Sequence, residues 1–209
     1  MEISQSPINS KDTFIGVFDN VLEPHVCESI ITEFEDAIKV TAFAPPGSPY
    51  GSENHLSKAP GEEETRNGRR DIRLYAELFS SRIVGIVNDA MREPLRLYGH
   101  RYHSLHLLKG GFSSTSVKLQ RTEPRGGFHE WHCEVTARRN ANRCLVWMLY
   151  LNDLPEGEGE TEFQWQGVKL TPKAGTLVFW PPYWTHPHRG NPPYTKTKYI
   201  ATGWFDLVK

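Results

Sequence analysis

Apolar positions change their period partway along the chain. In "EPHVCESIITEFEDAIK", Val26, Ile30, Ile31, Phe34 and Ile38 fall at the spacing of one helical face. Pro24 stands near the start of that run, where a proline suits a first helical turn because its missing N–H has no partner to lose. Just before it, residues 14–22, "FIGVFDNVL", alternate enough for a short strand. A second helical stretch is predicted over "IRLYAELFSSRIVGIVNDAMREPLRLYG", ending before Pro94 or restarting after it. From about Gly111 the texture becomes that of strands. "STSVKLQRTEP", "RCLVWMLYLND", "TEFQWQGVKLTP", "GTLVFWPP" and "TKYIATGWFDLV" are short runs heavy in Val, Thr and aromatics, parted by turns such as "LPEGEGE" and "HRGNPP". Two helices ahead of many short strands predict an α+β fold whose β part is a sandwich or jelly roll, with the strand order left open.

Between the two helical stretches, Ala44–Arg70 ("APPGSPYGSENHLSKAPGEEETRNGRR") is too polar to build a core and reads as a long loop or mobile lid. Its flanks look like parts of one unit, so residues 1–209 are read as a single domain, a length ample for a sizeable core. The 24 basic and 25 acidic side chains nearly cancel, which gives no sign of a dedicated nucleic-acid or anionic-membrane binder. No apolar run approaches the ~20 residues of a membrane-spanning helix, and "MEISQSPINSKDT" does not read as a secretory signal. Cys27, Cys133 and Cys144 form no CxxC pair, so neither a zinc knuckle nor a disulfide framework is predicted. A cytoplasmic setting is the simplest reading, and the oligomeric state is left open.

The candidate chemistry lies in "GGFHEWHCE", Gly126 to Glu134. His129-Glu130 invites comparison with a zinc-protease helix, but that motif needs its second His four residues on, and the gap to His132 is three. His132-Cys133-Glu134 is different. On extended backbone, positions i and i+2 point the same way, so one short segment delivers an imidazole and a carboxylate to a single ion. Two imidazoles and one carboxylate on one face of a metal are the donor set of non-haem Fe(II) oxygenases. The third donor is sought in "GTLVFWPPYWTHPHRGNPPYTKTKYIATGWF", where His186 and His188 both qualify. Lys198 separates them, lying ten residues after His188 at the start of a strand. If antiparallel strands flank the intervening turn, its ammonium sits on the neighbouring strand, placed to hold the far carboxylate of an acid that chelates the metal. A lysine buried in a strand needs such an anionic partner.

Taken together, "GG-x4-HxE", "RCLVWMLYLND", "EGEGETEF", "PKAGTLVFWPP" and "H-x9-K…GW", across roughly Val117 to Phe205, resemble the prolyl-4-hydroxylase-like branch of the Fe(II)/2-oxoglutarate-dependent dioxygenases. "FIGVFDNVLEPHVCESII" resembles the strand and helix that open those enzymes. The resemblance implies a double-stranded β-helix (jelly-roll) core with the N-terminal helices packed on one sheet. It implies His132, Glu134 and His188 as catalytic iron ligands, Lys198 on the 2-oxoglutarate C5 carboxylate, and Tyr150 and Trp204 as further cosubstrate-binding residues. The chain departs from the family pattern in carrying Glu134 where most members have Asp. It also has Thr122 and Glu123 where a tyrosine usually stands, so part of the cosubstrate contact is expected from elsewhere. His129 is expected near the ligands or in the core, with Phe128 and Trp131 shaping the pocket.

The implied activity is hydroxylation with release of succinate and CO₂, using Fe(II), 2-oxoglutarate and O₂, with ascorbate as a supporting reductant. Its expected substrate is a prolyl residue of a peptide or protein, with Trp184, Arg138, Arg139 and Arg189 available for contacts. The competing readings are a hydroxylase of a free amino acid or small metabolite, and a non-catalytic metal-binding jelly-roll module. Lys198 argues against the module, which has no use for a carboxylate clamp.

Overall fold

Strands β1 (Ser4–Gln5), β2 (Gly16–Asp19), β3 (Ile72–Tyr75), β4 (Gly111–Ser114), β5 (Lys118–Thr122), β6 (Arg143–Tyr150), β7 (Thr161–Phe163), β8 (Val168–Leu170), β9 (Leu177–Trp180), β10 (His188–Gly190) and β11 (Lys198–Val208) are accompanied by helices α1 (Pro24–Ala42) and α2 (Ser81–Arg101). The structure is a computed structural model that describes residues 4–5, 12–42 and 71–208; the expected lid at Ala44–Arg70 lies outside the described residues.

The strands form two antiparallel sheets. The larger runs β1-β2-β9-β6-β11-β5-β3, with β4 pairing the far part of β11; the smaller runs β10-β7-β8. The central strands of the large sheet are apolar on both faces and sort their side chains by parity, as pleated backbone requires. Leu145, Trp147 and Leu149 of β6, Leu177 and Phe179 of β9, and Ala201 and Phe205 of β11 face one way. They form a core with Cys27, Ile30 and Phe34 of α1 and Ile83, Val87, Met91 and Tyr98 of α2. Val146, Met148 and Tyr150, Val178 and Trp180, and Ile200 face the other way, onto Phe163 and Val168 of the small sheet. The near-continuous apolar run "CLVWMLYL" is therefore a strand buried on both sides. The α+β layout, helices on one face and a second sheet on the other, is the one predicted.

Two local expectations are corrected. Ile72–Tyr75 is a strand, not helix: Ile72 and Leu74 are buried in alternation and pair with Arg121 and Leu119 of β5. The helix begins at Ser81, behind Ser80, whose hydroxyl accepts from Ile83 N at 3.2 Å. Nor does Pro94 end α2, which runs unbroken to Arg101 with Pro94 on its buried face. A proline inside a helix costs about 3 kcal/mol in isolation; burial of Ile83, Val87, Met91 and Tyr98 along the same face outweighs it.

Candidate metal centre

His132 and Glu134 do not lie on a regular strand as expected. Their segment touches β10 at one isolated antiparallel bridge, in which His132 N donates to His188 O at 3.0 Å and His188 N to His132 O at 2.9 Å. That bridge sets the two imidazoles side by side, with ring centroids 4.4 Å apart and planes inclined at 52°. Glu134 N donates to Pro182 O at 2.9 Å, tying the next turn down as well. The i, i+2 relation then brings the Glu134 carboxylate to the same spot, with Oε1 3.6 Å from both His132 Nε2 and His188 Nε2.

The outer ring nitrogens fix the inner ones. His132 Nδ1 lies 3.0 Å from Glu130 O and His188 Nδ1 lies 3.1 Å from His186 O. A carbonyl only accepts, so each Nδ1 carries the proton and each Nε2 turns a lone pair inward, the tautomer a metal requires. Burial alone would raise the Glu134 carboxyl, but His188, His132 and the Lys118 ammonium beside it hold it down to about 2. His132, Glu134 and His188 bring one donor atom each to within 4.8 Å of the others. Two neutral imidazoles and an ionised carboxylate fit a divalent iron-type ion in chemistry and in number.

His186 faces elsewhere. Its Nε2 is 2.9 Å from Thr13 O and its Nδ1 is 2.9 Å from the Thr185 hydroxyl, and burial lowers its pKa. His129 is exposed, neither core nor part of the cluster, and bonds Gly190 O through Nδ1 at 2.7 Å. Phe128 packs its ring on His132 with centroids 4.6 Å apart, and Trp131, at the surface, lies under the Arg189 guanidinium at 4.5 Å.

A cavity opens beside the cluster, walled by Val146, Met148, Trp180 and Ile200 and carrying polar groups on β5, β7 and β11. Lys198 projects into it, though from a different place than expected. β10 pairs with β7 in the small sheet, whereas β11 pairs with β5 and β6 in the large one. Lys198 thus reaches the cavity from the opposite sheet and not from a strand next to His188. Its Nζ donates to Gly159 O at 2.6 Å, and burial pushes the ammonium from 10.5 down to about 8 against the pull of Glu160. Gly159 has φ +61°, and a Cβ there would meet Leu154 at 2.7 Å, so the "EGEGE" turn needs glycine to bring that carbonyl to the lysine.

Tyr150 is fully buried behind the wall, its hydroxyl donating to Thr161 Oγ1 at 2.7 Å; Thr161 is the residue that lines the cavity. Trp204 lines the cavity too, but its indole N–H is directed at Glu134 Oε2, 2.9 Å away. Thr122, one of the two residues at the family's tyrosine position, is buried, lines the cavity and stands opposite Lys198 in register. Sequence reasoning missed Lys118, Gln120, Thr161 and Arg143. The first two had a signal: in "VKLQRT" the polar positions 118, 120 and 122 alternate with buried Val117 and Leu119, a polar stripe on one strand face.

Residues 117–206 match the family model of the 2OG-Fe(II) oxygenase superfamily. Over this segment the chain resembles a 2OG-Fe(II) oxygenase domain. The family implies Fe(II), 2-oxoglutarate and O₂ as its reagents. No curated protein matches the chain. Among solved structures, the chain is similar to the viral collagen prolyl hydroxylase of Paramecium Bursaria Chlorella virus-1 in its 2OG complex, at 20% identity and a TM-score of 0.65, covering 97% of this chain and 100% of that one. A Pseudomonas putida prolyl-4-hydroxylase is similar at 18% identity and TM-score 0.65, with 93% of each chain covered. A Trichoplax adhaerens prolyl hydroxylase, solved with a hypoxia inducible factor oxygen degradation domain peptide fragment, is similar at 14% identity and TM-score 0.69, covering 93% of this chain and 84% of that one. At these identities the likeness establishes the shared jelly-roll fold.

Proposed function

We propose that the chain is a 2-oxoglutarate-dependent hydroxylase in which His132, Glu134 and His188 hold Fe(II), and that its substrate is a prolyl residue of a peptide or protein. The observation that carries this reading is the pairing, within one cavity, of a His/Glu/His donor cluster with a buried lysine delivered from the opposite sheet. When bound, Fe(II), 2-oxoglutarate and O₂ supply the oxidation of a C–H bond to an alcohol, with succinate and CO₂ as co-products and ascorbate as an aid to sustained turnover.

The chain's own residues supply position and dryness. His132 and His188 present Nε2 in a tautomer fixed by backbone carbonyls, and Glu134 presents Oε1 beside them. The Lys198 ammonium, already desolvated, receives the far carboxylate of 2-oxoglutarate, and the Thr161 hydroxyl, which accepts from Tyr150 and donates weakly to Met148 Sδ at 3.9 Å, gives its proton to the same carboxylate instead. That arrangement takes the place of the tyrosine usual in the family. Val146, Met148, Trp180 and Ile200 keep water from the reacting atoms.

The prolyl assignment is supported by the likeness in fold to prolyl hydroxylases, one of them solved with a peptide. Incubating the protein with Fe(II), ascorbate, 2-oxoglutarate and proline-containing peptides tests it. Mass spectrometry is expected to show a gain of one oxygen on proline in the peptide and none on free proline. Oxygen gained by free proline alone points instead to a small-metabolite hydroxylase.

A further inference from the structure

The two carboxylate oxygens of Glu134 are treated differently by the fold. Oε1 faces the imidazoles, while Oε2 accepts from Trp204 Nε1 at 2.9 Å and from Arg143 Nη1 at 3.2 Å. The same Arg143 nitrogen donates to the Glu134 backbone carbonyl at 2.9 Å, and the guanidinium lies on the Trp204 ring, 3.6 Å from its centroid. Arg143 thus grips Glu134 at both ends and is itself held flat by the indole. Arg143 opens β6 opposite Asp206, and Trp204 stands on β11 opposite Val146, so the two best-packed strands of the large sheet deliver the grip.

We propose that Arg143 and Trp204 are positioning residues that hold Glu134 as a one-oxygen ligand, a device fitted to the glutamate of this chain's His-x-Glu triplet. The proposal rests on the metal-binding reading above. A glutamate has one more torsion to freeze than an aspartate, and its ordering costs more entropy. Left to swing, it also offers both oxygens to an ion and fills a coordination position that an open facial site must keep for other ligands. Two N–H donors on Oε2, one from a planar guanidinium stacked on an aromatic face, remove both freedoms. They leave Oε1 as the one oxygen turned to the imidazoles.

The test is titration of metal-free protein with Mn(II), with melting of the metal-free form measured alongside, for wild type, Trp204→Phe and Arg143→Gln. Trp204→Phe keeps a ring in the wall and removes the donor; Arg143→Gln removes the two-ended grip. Wild type is expected to bind Mn(II). Each variant is expected to bind it about tenfold or more weakly, as loss of a ligand-orienting partner generally does, while its metal-free form melts within a few degrees of wild type. Wild-type affinity in both variants overturns the proposal. So does a loss of affinity that appears only where the metal-free fold is destabilised in step, which makes the pair mere packing. A wild type that binds no Mn(II) removes the metal reading itself, an outcome distinct from tight binding that the variants leave unchanged.

Discussion

His186 and His188 sit two residues apart, both buried, yet their rings serve different ends. His186 ties its loop to the residues just ahead of β2 through Thr13 O, and His188 turns toward Glu134. His188→Ala is therefore expected to abolish 2-oxoglutarate turnover, while His186→Ala keeps a good part of it; succinate release measures both. Lys198 sets the pH dependence. Burial lowers its pKa to about 8, so the ammonium is present below that pH and lost above it. Because the cosubstrate carboxylate needs the cation, 2-oxoglutarate affinity should hold at lower pH and fall as pH rises through about 8, with bound carboxylate moving the midpoint upward. Lys198→Met should weaken 2-oxoglutarate binding by about 3 kcal/mol, roughly a hundredfold, and flatten that pH response. The pairing of His132 with Glu134 was legible from the i, i+2 relation, and His188 from the family resemblance of its H-x9-K spacing; the neighbouring-strand argument for that choice did not hold. Arg143 was not, since only the register of β6 against β11 brings it to Glu134. The Tyr150 hydroxyl was read as a cosubstrate contact because a sequence does not say that Thr161, on another strand, takes it first.

At the scale of elements, β6 and β11 do two jobs at once: alternate residues face the helices and the cavity. Gly203 shows how close the packing is. It pairs with Trp147, and a Cβ there would lie 2.3 Å from Ser116 O and 2.7 Å from the Trp147 ring. Gly203→Ala is expected to destabilise the fold by about 1–3 kcal/mol through overpacking, read as a lower denaturant midpoint. Little change would mean that Ser116 and Trp147 yield easily. Strand and helix periods made most of these elements legible. "IRLY" failed because four residues carry both periods, and its pairing with β5 decided for strand. The place of Lys198 failed for a topological reason: adjacent runs in a jelly roll pass to opposite sheets, and spacing along the chain does not reveal the change.

For the molecule as a whole, a metal that binds only the folded form stabilises it by mass action. Mn(II) at a hundred times its dissociation constant should add about 2.7 kcal/mol, a rise of roughly 5–10 °C for a domain of this size. The rise should be lost in His132→Ala and His188→Ala. Among the described residues no helix is long and apolar enough to cross a membrane, and this is the one group of three His, Cys or acidic side chains set to share an ion. Everything proposed about chemistry therefore converges on one cavity. Succinate release from 2-oxoglutarate tests it most directly, with Fe(II), O₂ and a proline-containing peptide present, comparing wild type with His188→Ala, Glu134→Ala and Lys198→Met. The predicted result is peptide-stimulated turnover by wild type, none by the first two variants, and recovery of Lys198→Met only at greatly raised 2-oxoglutarate. Succinate formation that survives loss of His188 or Glu134, or a wild type that binds metal and 2-oxoglutarate yet forms no succinate with any substrate, would contradict it.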